Sequence, residues 1–172
     1  MNGPPERIAT LIVELMTVLD EEIGLLDRRC TQLADLAEAT RLRDNDALEV
    51  LLEQVEQTLE DQDATDLKLQ ALRNALAEAL GRPVSQMRLS ELIKQLPGRI
   101  AAEISYRREQ ILLLSERLKD QHVRTALVVS ECARINRLLL ESFFPEERRV
   151  TTYSSTGTSS WGLDTGLVDV ES

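Results

Sequence analysis

The sequence predicts an all-α protein: three long helices and a short connector helix, forming an elongated antiparallel helical bundle or coiled-coil hairpin with a C-terminal tail. Three observations carry this. Leu, Ala, Glu, Arg and Gln, all good helix formers, dominate the body of the chain. Glycine is scarce, with 7 in 172 residues, and sits mostly at breaks or in the tail. No Asn-Gly or Asp-Gly hairpin signal separates alternating strands.

The first helix is predicted over about 6–40. Pro4 and Pro5 suit a first helical turn. Ile8, Ile12, Leu15, Leu19, Ile23, Leu26, Cys30, Leu33 and Ala37 recur at steps of three or four, one face of a helix. Leu11, Val18, Leu25 and Leu36 widen the stripe. Gly24, in the interior, costs about 1 kcal/mol relative to Ala and suggests close helix contact.

The stretch RDND, ending at Asp46, supplies N-cap residues for a second helix over about 46–80. Its stripe reads Leu48, Leu52, Val55, Leu59, then Leu69, Leu72, Leu76 and Leu80. Between Leu59 and Leu67 the stripe fails, and a kink, fraying or projection is expected there. Gly81 and Pro83 end it.

A connector helix is expected over about 90–96, capped by Ser90 after Leu89, and closed by Pro97-Gly98. The third long helix spans about 99–144 until Pro145 stops it. Its core candidates are Ile100, Ile104, Ile111, Leu114, Leu118, Val128, Cys132, Ile135, Leu139 and Phe143. Its middle, Ser115 to Thr125, is more polar, as if part of its length escapes the core.

Residues 1–149 thus form a helical body, and 150–172 a flexible Ser/Thr/Gly-rich tail. That tail has ten Ser or Thr, three Gly and no base. Such a composition buries too little apolar surface to offset its ordering entropy.

Charge and composition exclude several classes. The net charge is −10, and phosphate binding needs a basic face, so nucleic acid is not an expected partner. No apolar run approaches a membrane span, so no membrane insertion is expected. The N-terminus lacks a basic region before an apolar core, so no secretory signal is expected. Cys30 and Cys132 read as reduced thiols rather than a disulfide, which suits the cytoplasm. From Asp44 to Asp66 there are nine acids and no base; from Arg99 to Arg149 there are ten bases and eight acids. Either the acidic second helix pairs with the third across solvated edges, or its face, especially Glu53, Glu56, Glu60 and Asp61, meets a basic partner.

No catalytic or metal constellation is visible. The one histidine, His122, has no second His or Cys near it for a zinc site. Phosphate loops and nucleophile elbows are missing too. Neither cofactor nor metal is expected, and the chain does not read as an enzyme.

Four of the five aromatic residues fall late: Phe143, Phe144, Tyr153 and Trp161. Leu138, Leu139 and Leu140 precede them, and three successive residues spread over about 200–300° of helix surface, too wide for one core face. The expected partner-binding surface is Val128, Cys132, Ile135, Leu138, Leu139, Leu140, Phe143 and Phe144, with Tyr153 and Trp161 from the tail. The tail or a second copy of the chain could instead cover these residues.

Spread over about 150 residues, several landmarks resemble the FlgN family of flagellar export chaperones. They are a long first helix leading into Asp46-Ala47-Leu48-Glu49 at the start of the second, Leu80-Gly81 at its end, and Leu89 to Ile93 with Leu96-Pro97 in the connector. Asn136 before the Leu-rich helix end and Tyr153-x-x-x-Gly157 in the tail complete the set. Ser154-Ser155-Thr156 departs from the Pro or acidic residues that the family favours there. The resemblance implies a cytoplasmic protein that binds hook-associated proteins of the hook–filament junction, prevents their premature assembly and delivers them to the flagellar type III export gate. Docking to the gate would use Tyr153 and Gly157 or the acidic Glu53, Glu56, Glu60 and Asp61. The alternative is a generic helical adaptor or coiled-coil homodimer without an export role. A remoter resemblance, over Leu19 to Arg29, is to the all-helical chorismate mutases: Asp20, Ile23, Leu26 and Arg29 match in step, while Gly24 and Asp27 replace apolar positions.

Overall fold

The structure, a computed structural model, describes residues 4–143. They form α1 (Pro4–Leu42), α2 (Asn45–Leu80), a 3₁₀ turn (Val84–Gln86), α3 (Leu89–Ile93) and α4 (Gly98–Phe143). No strand occurs among the described residues. The predicted all-α class and the three long helices are therefore observed, with ends within two residues of those expected. The chain divides into two compact units, Met1–Cys132 and Ala133–Ser172. The boundary expected near residue 149 and the tail lie outside the described residues.

In the first unit α1 is central. Its contacts with α2 run in opposite directions along the two chains: Arg7 with Glu78, Glu22 with Gln62, Arg28 with Asp61 and Gln32 with Thr58. Its contacts with α4 rise together: Asp20 with Arg107, Cys30 with Leu114, Leu33 with Thr125 and Thr40 with Cys132. Consecutive long helices are thus antiparallel, and α1 is parallel to α4. Packing on two sides explains the wide stripe of α1, where Ile12, Leu15, Val18, Leu19, Leu25, Leu26, Cys30 and Ala39 are all buried.

Both ends of α2 are fixed by named groups. Asp44 Oδ1 accepts from the Ala47 amide at 3.0 Å, the expected cap. Arg43, at φ 57°, is the one non-glycine with positive φ among the described residues. Its amide donates to Thr40 O and that of Asp44 to Ala39 O, the paired bonds of a Schellman motif that closes α1 just before α2 begins. Gly81, φ 62°, repeats the motif at the other end, with Gly81 N–H to Glu78 O and Arg82 N–H to Ala77 O.

The fraying or projection expected between Leu59 and Leu67 is corrected: α2 is continuous over Asn45–Leu80, with Thr58 and Thr65 buried. Its seam towards α1 is Leu51, Val55, Thr58, Gln62, Thr65, Leu69, Leu72 and Leu76, at alternating steps of four and three. Thr58, Thr65, Leu72 and Leu76 are buried, and the others are half-buried. Leu52 and Leu59, expected in the core, are exposed. Polar partners replace them: Gln32 Nε2 donates to Thr58 Oγ1 at 2.9 Å and to Gln54 O at 3.1 Å. Gln62 Nε2 donates to Glu22 Oε2 at 2.9 Å. The side-chain oxygens of Gln32 and Gln62 are buried without a partner.

The middle of α4 is corrected likewise. Ile104, Arg107, Ile111, Leu114, Leu118, Gln121, Thr125, Val128 and Cys132 keep the same alternating steps, each buried or half-buried. Thr125 Oγ1 donates to Leu33 O at 2.8 Å, so the polar stretch stays on α1. Ser90 does not cap the connector helix. It is exposed, and α3 starts one residue earlier, after Arg88, without a side-chain cap. Burial of Leu92 and partial burial of Met87, Leu89 and Ile93 against Ile12, Leu15, Leu19, Leu76 and Ile104 set that register instead.

Gly24 marks no close contact. It is exposed, and nothing lies within 4 Å of where its Cβ would be. Cys30 and Cys132 are both free thiols, as expected; Cys30 is buried and Cys132 half-buried.

Candidate functional site

The described part of the second unit is the last stretch of α4. Ile135, Leu138, Leu139, Leu140 and Phe143 are all exposed, from 43% at Ile135 and Leu139 to 74% at Phe143. Ile135 and Leu139 keep the seven-residue phase of the α4 seam, and Leu138, Leu140 and Phe143 widen it. Three of the α4 core candidates (Ile135, Leu139 and Phe143) are therefore surface residues. Leu and Arg favour the helix here intrinsically, and Arg137 Nε meets Glu141 Oε1 at 2.8 Å one turn on. The surface is apolar with polar residues interleaved, which suits an amphipathic partner helix. Val128 and Cys132, expected on the same surface, are half-buried in the first unit, with Cys132 Sγ 3.9 Å from Thr40 O. Phe144, Tyr153, Gly157 and Trp161 lie outside the described residues.

The acidic candidates lie on α2. Glu53, Glu56 and Glu60 are exposed, and Asp61 is half-buried. Asp61 sits 3.8 Å from Arg28 of α1, and Glu60 accepts from Gln57 within α2. The pairing of α2 with α4 expected from charge gives way to pairing with α1. Lys68 meets Glu21 at 2.7 Å and Glu78 meets Arg7 at 3.3 Å. On α4, Arg107 and Arg117 also reach α1, at Asp20 and Asp27. Central placement of α1 explains this, since its two edges border both neighbours. Leu52 and Leu59, seven residues apart, add exposed apolar surface to the acidic half of α2.

Two grooves open in the first unit. One, of about 500 Å³, is lined by Leu15, Leu19, Glu22, Leu69, Arg73, Leu76, Met87, Arg88, Leu89, Leu92 and Ile111. The other, of about 480 Å³, lies between α1 and α2 and includes Leu11, Val18, Leu72 and Ala75. Sequence reasoning missed the first; its signal was the apolar density of the connector from Val84 to Leu96. Neither groove is lined by Asp20, Ile23, Leu26 or Arg29, the residues of the chorismate-mutase-like spacing. Asp20 is instead held by Arg107, and Leu26 is buried.

His122 is exposed. Among the described residues no group of three His, Cys, Asp or Glu could hold a metal ion, and no helix is long and apolar enough to cross a membrane. Burial pushes the Cys30 thiol above its ordinary value of 9.0. In comparisons with known proteins, no family model, no curated protein and no solved structure matches the chain.

Proposed function

We propose that the chain is a FlgN-type flagellar export chaperone, acting in the cytoplasm without a cofactor. It holds an amphipathic terminal segment of a hook–filament junction protein on the distal face of α4. The observation that carries this reading is the exposure of Ile135, Leu138, Leu139, Leu140 and Phe143 together. Fully burying one such side chain stabilises a complex by about 1.5–3 kcal/mol. A handful of contacts therefore suffices for a reversible grip. Phe144, Tyr153 and Trp161 extend the surface in this reading. Tyr153 and Gly157, or the acidic Glu53, Glu56, Glu60 and Asp61, dock on the cytoplasmic part of the export gate. The order of landmarks from Asp46 to Gly157 supports the same assignment.

The test is capture of purified hook-associated proteins by the full chain. Wild type binds. Leu139→Asp with Phe143→Asp does not, while helicity by circular dichroism is retained because both side chains are exposed. Absence of binding by the wild type to any hook-associated protein refutes the proposal.

A second reading rests on the phase of Ile135 and Leu139. They continue the α4 seam pattern, which a second copy of the chain could fit as a coiled-coil homodimer. Sedimentation of the unliganded protein separates the two: a dimer that Leu139→Asp dissociates favours this reading.

A further inference from the structure

The groove beside the connector plays no part in the function proposed above. Its volume of about 500 Å³ falls in the range of roughly 300–1,000 Å³ typical of small-molecule sites. Eight of its eleven lining residues are apolar, and Leu15, Leu19, Leu76 and Leu92 among them also belong to the buried core. The floor is therefore set by packing that the fold cannot relinquish.

The polar lining is Glu22, Arg73 and Arg88. Arg73 Nη2 donates to Val84 O at 3.0 Å, which anchors that guanidinium beside the connector and leaves its other donors for a ligand. Arg88 stands at the start of α3 on extended backbone and is exposed. Glu22 is occupied from the α2 side by Gln62. Two guanidiniums against one carboxylate give the groove a positive balance in a chain whose net charge is −10. Alkyl walls with an arginine pair at the edge match a single-chain amphiphile with an anionic head. The apolar walls remove its tail from water, and arginine donates two parallel hydrogen bonds to a carboxylate.

We propose that this groove binds a medium-chain alkyl carboxylate, its tail among Leu15, Leu19, Leu69 and Met87 and its carboxylate at Arg73 and Arg88. The test is a methyl-resolved NMR titration of the full chain with sodium decanoate below its micelle concentration. Decanol and decyltrimethylammonium serve as neutral and cationic comparisons. Expected are saturable shifts at Leu15, Leu69 and Met87, with decanoate at least about tenfold tighter than the ammonium. Arg73→Gln with Arg88→Gln removes the preference for decanoate, while circular dichroism and saturable decanol shifts at the groove show that the fold and its apolar walls are retained. Met87→Trp, which takes up groove volume, weakens all three ligands. No saturable shift at the groove, or equal affinity for the three head groups, overturns the proposal. So do decanoate shifts confined to the distal end of α4.

Discussion

Arg107 on α4 and Asp20 on α1 form a two-point ion pair, with Nε 2.9 Å from Oδ1 and Nη2 3.0 Å from Oδ2. The Arg107 side chain is only 21% exposed, and it sits in the α4 seam between Ile104 and Ile111. The two parallel bonds therefore fix register as well as charge. Lysine cannot make them. Arg107→Lys should destabilise the protein by about 1 kcal/mol. A urea double-mutant cycle with Asp20→Asn checks this, and the coupling should weaken as salt is raised.

The two Schellman ends of α1 and α2 have the same bonds but different residues in the left-handed position. Arg43 carries a Cβ there, and Gly81 does not. A side chain in that region costs about 1–2 kcal/mol. Arg43→Gly should recover part of this as higher stability, and Gly81→Ala should lose a similar amount. Nothing lies within 4 Å of the Gly81 Cβ position, so any loss reports the backbone and not a clash. Thermal melts of both variants give opposite signs if the motif is read correctly.

Gly24 provides a comparison without positive φ. It is exposed in mid-helix with open space at its Cβ. Gly24→Ala should stabilise by about 1 kcal/mol through helix propensity and a less flexible unfolded chain. A shift of the denaturant midpoint at constant slope is the expected signature.

The helices themselves were legible in the sequence because caps, breaks and apolar steps are local. The face that α2 presents was not. Leu52 and Leu59 look like core in isolation, yet a continuous helix carries one phase, and Leu69, Leu72 and Leu76 set it. Following that phase back towards Asp44 brings Thr65, Gln62 and Thr58 to the seam. Two of them meet polar side chains of α1, Thr58 facing Gln32 and Gln62 facing Glu22. That match is a property of two helices and cannot be read from either alone. The charge pattern failed for the same reason: its sign was legible, and its partner depended on α1 lying between α2 and α4. At the candidate site, the leucine surplus after Asn136 was legible as an excess over one core face. The structure adds that Ile135 and Leu139, which fit the seam phase, are exposed too.

The polar seam can be tested directly. Gln32 donates two bonds, but its oxygen is buried without a partner, which costs about 1–3 kcal/mol. Thr58 keeps its own bond to Gln54 O at 2.8 Å without Gln32. Gln32→Leu should therefore stabilise the α1–α2 seam by about 1 kcal/mol, adding apolar area and removing the orphan. Hydrogen exchange in the middle of α2 should slow in parallel. Destabilisation would mean that the two donated bonds outweigh the orphan oxygen.

The cysteines should differ in reactivity. Cys30 is 2% exposed, its S–H lies 3.8 Å from Leu114 O, and burial raises its pKa. Thiolate is the reactive form, so iodoacetamide should label Cys132 first and Cys30 only on unfolding. The linkage has a definite sign. The folded state holds the Cys30 proton more tightly than the unfolded state. Stability is therefore retained below the ordinary value of 9.0 and falls as pH rises through it. Cys30→Ala should flatten that alkaline loss, although it also leaves a cavity that lowers stability at all pH values.

The distal α4 surface carries the last prediction. Leu139 keeps the seam phase, and Leu140 lies about 100° round the helix from it. A coiled-coil partner contacts a narrow seam, so Leu139→Asp should break self-association and Leu140→Asp should leave it intact. A client segment wrapping a broad apolar face contacts both, and each substitution should then weaken capture by about tenfold or more, the equivalent of about 1.4 kcal/mol. Because both side chains are exposed, neither change should alter the melt of the isolated protein. Comparable losses of client affinity from the two substitutions, with no change in sedimentation, would favour the chaperone reading over the homodimer.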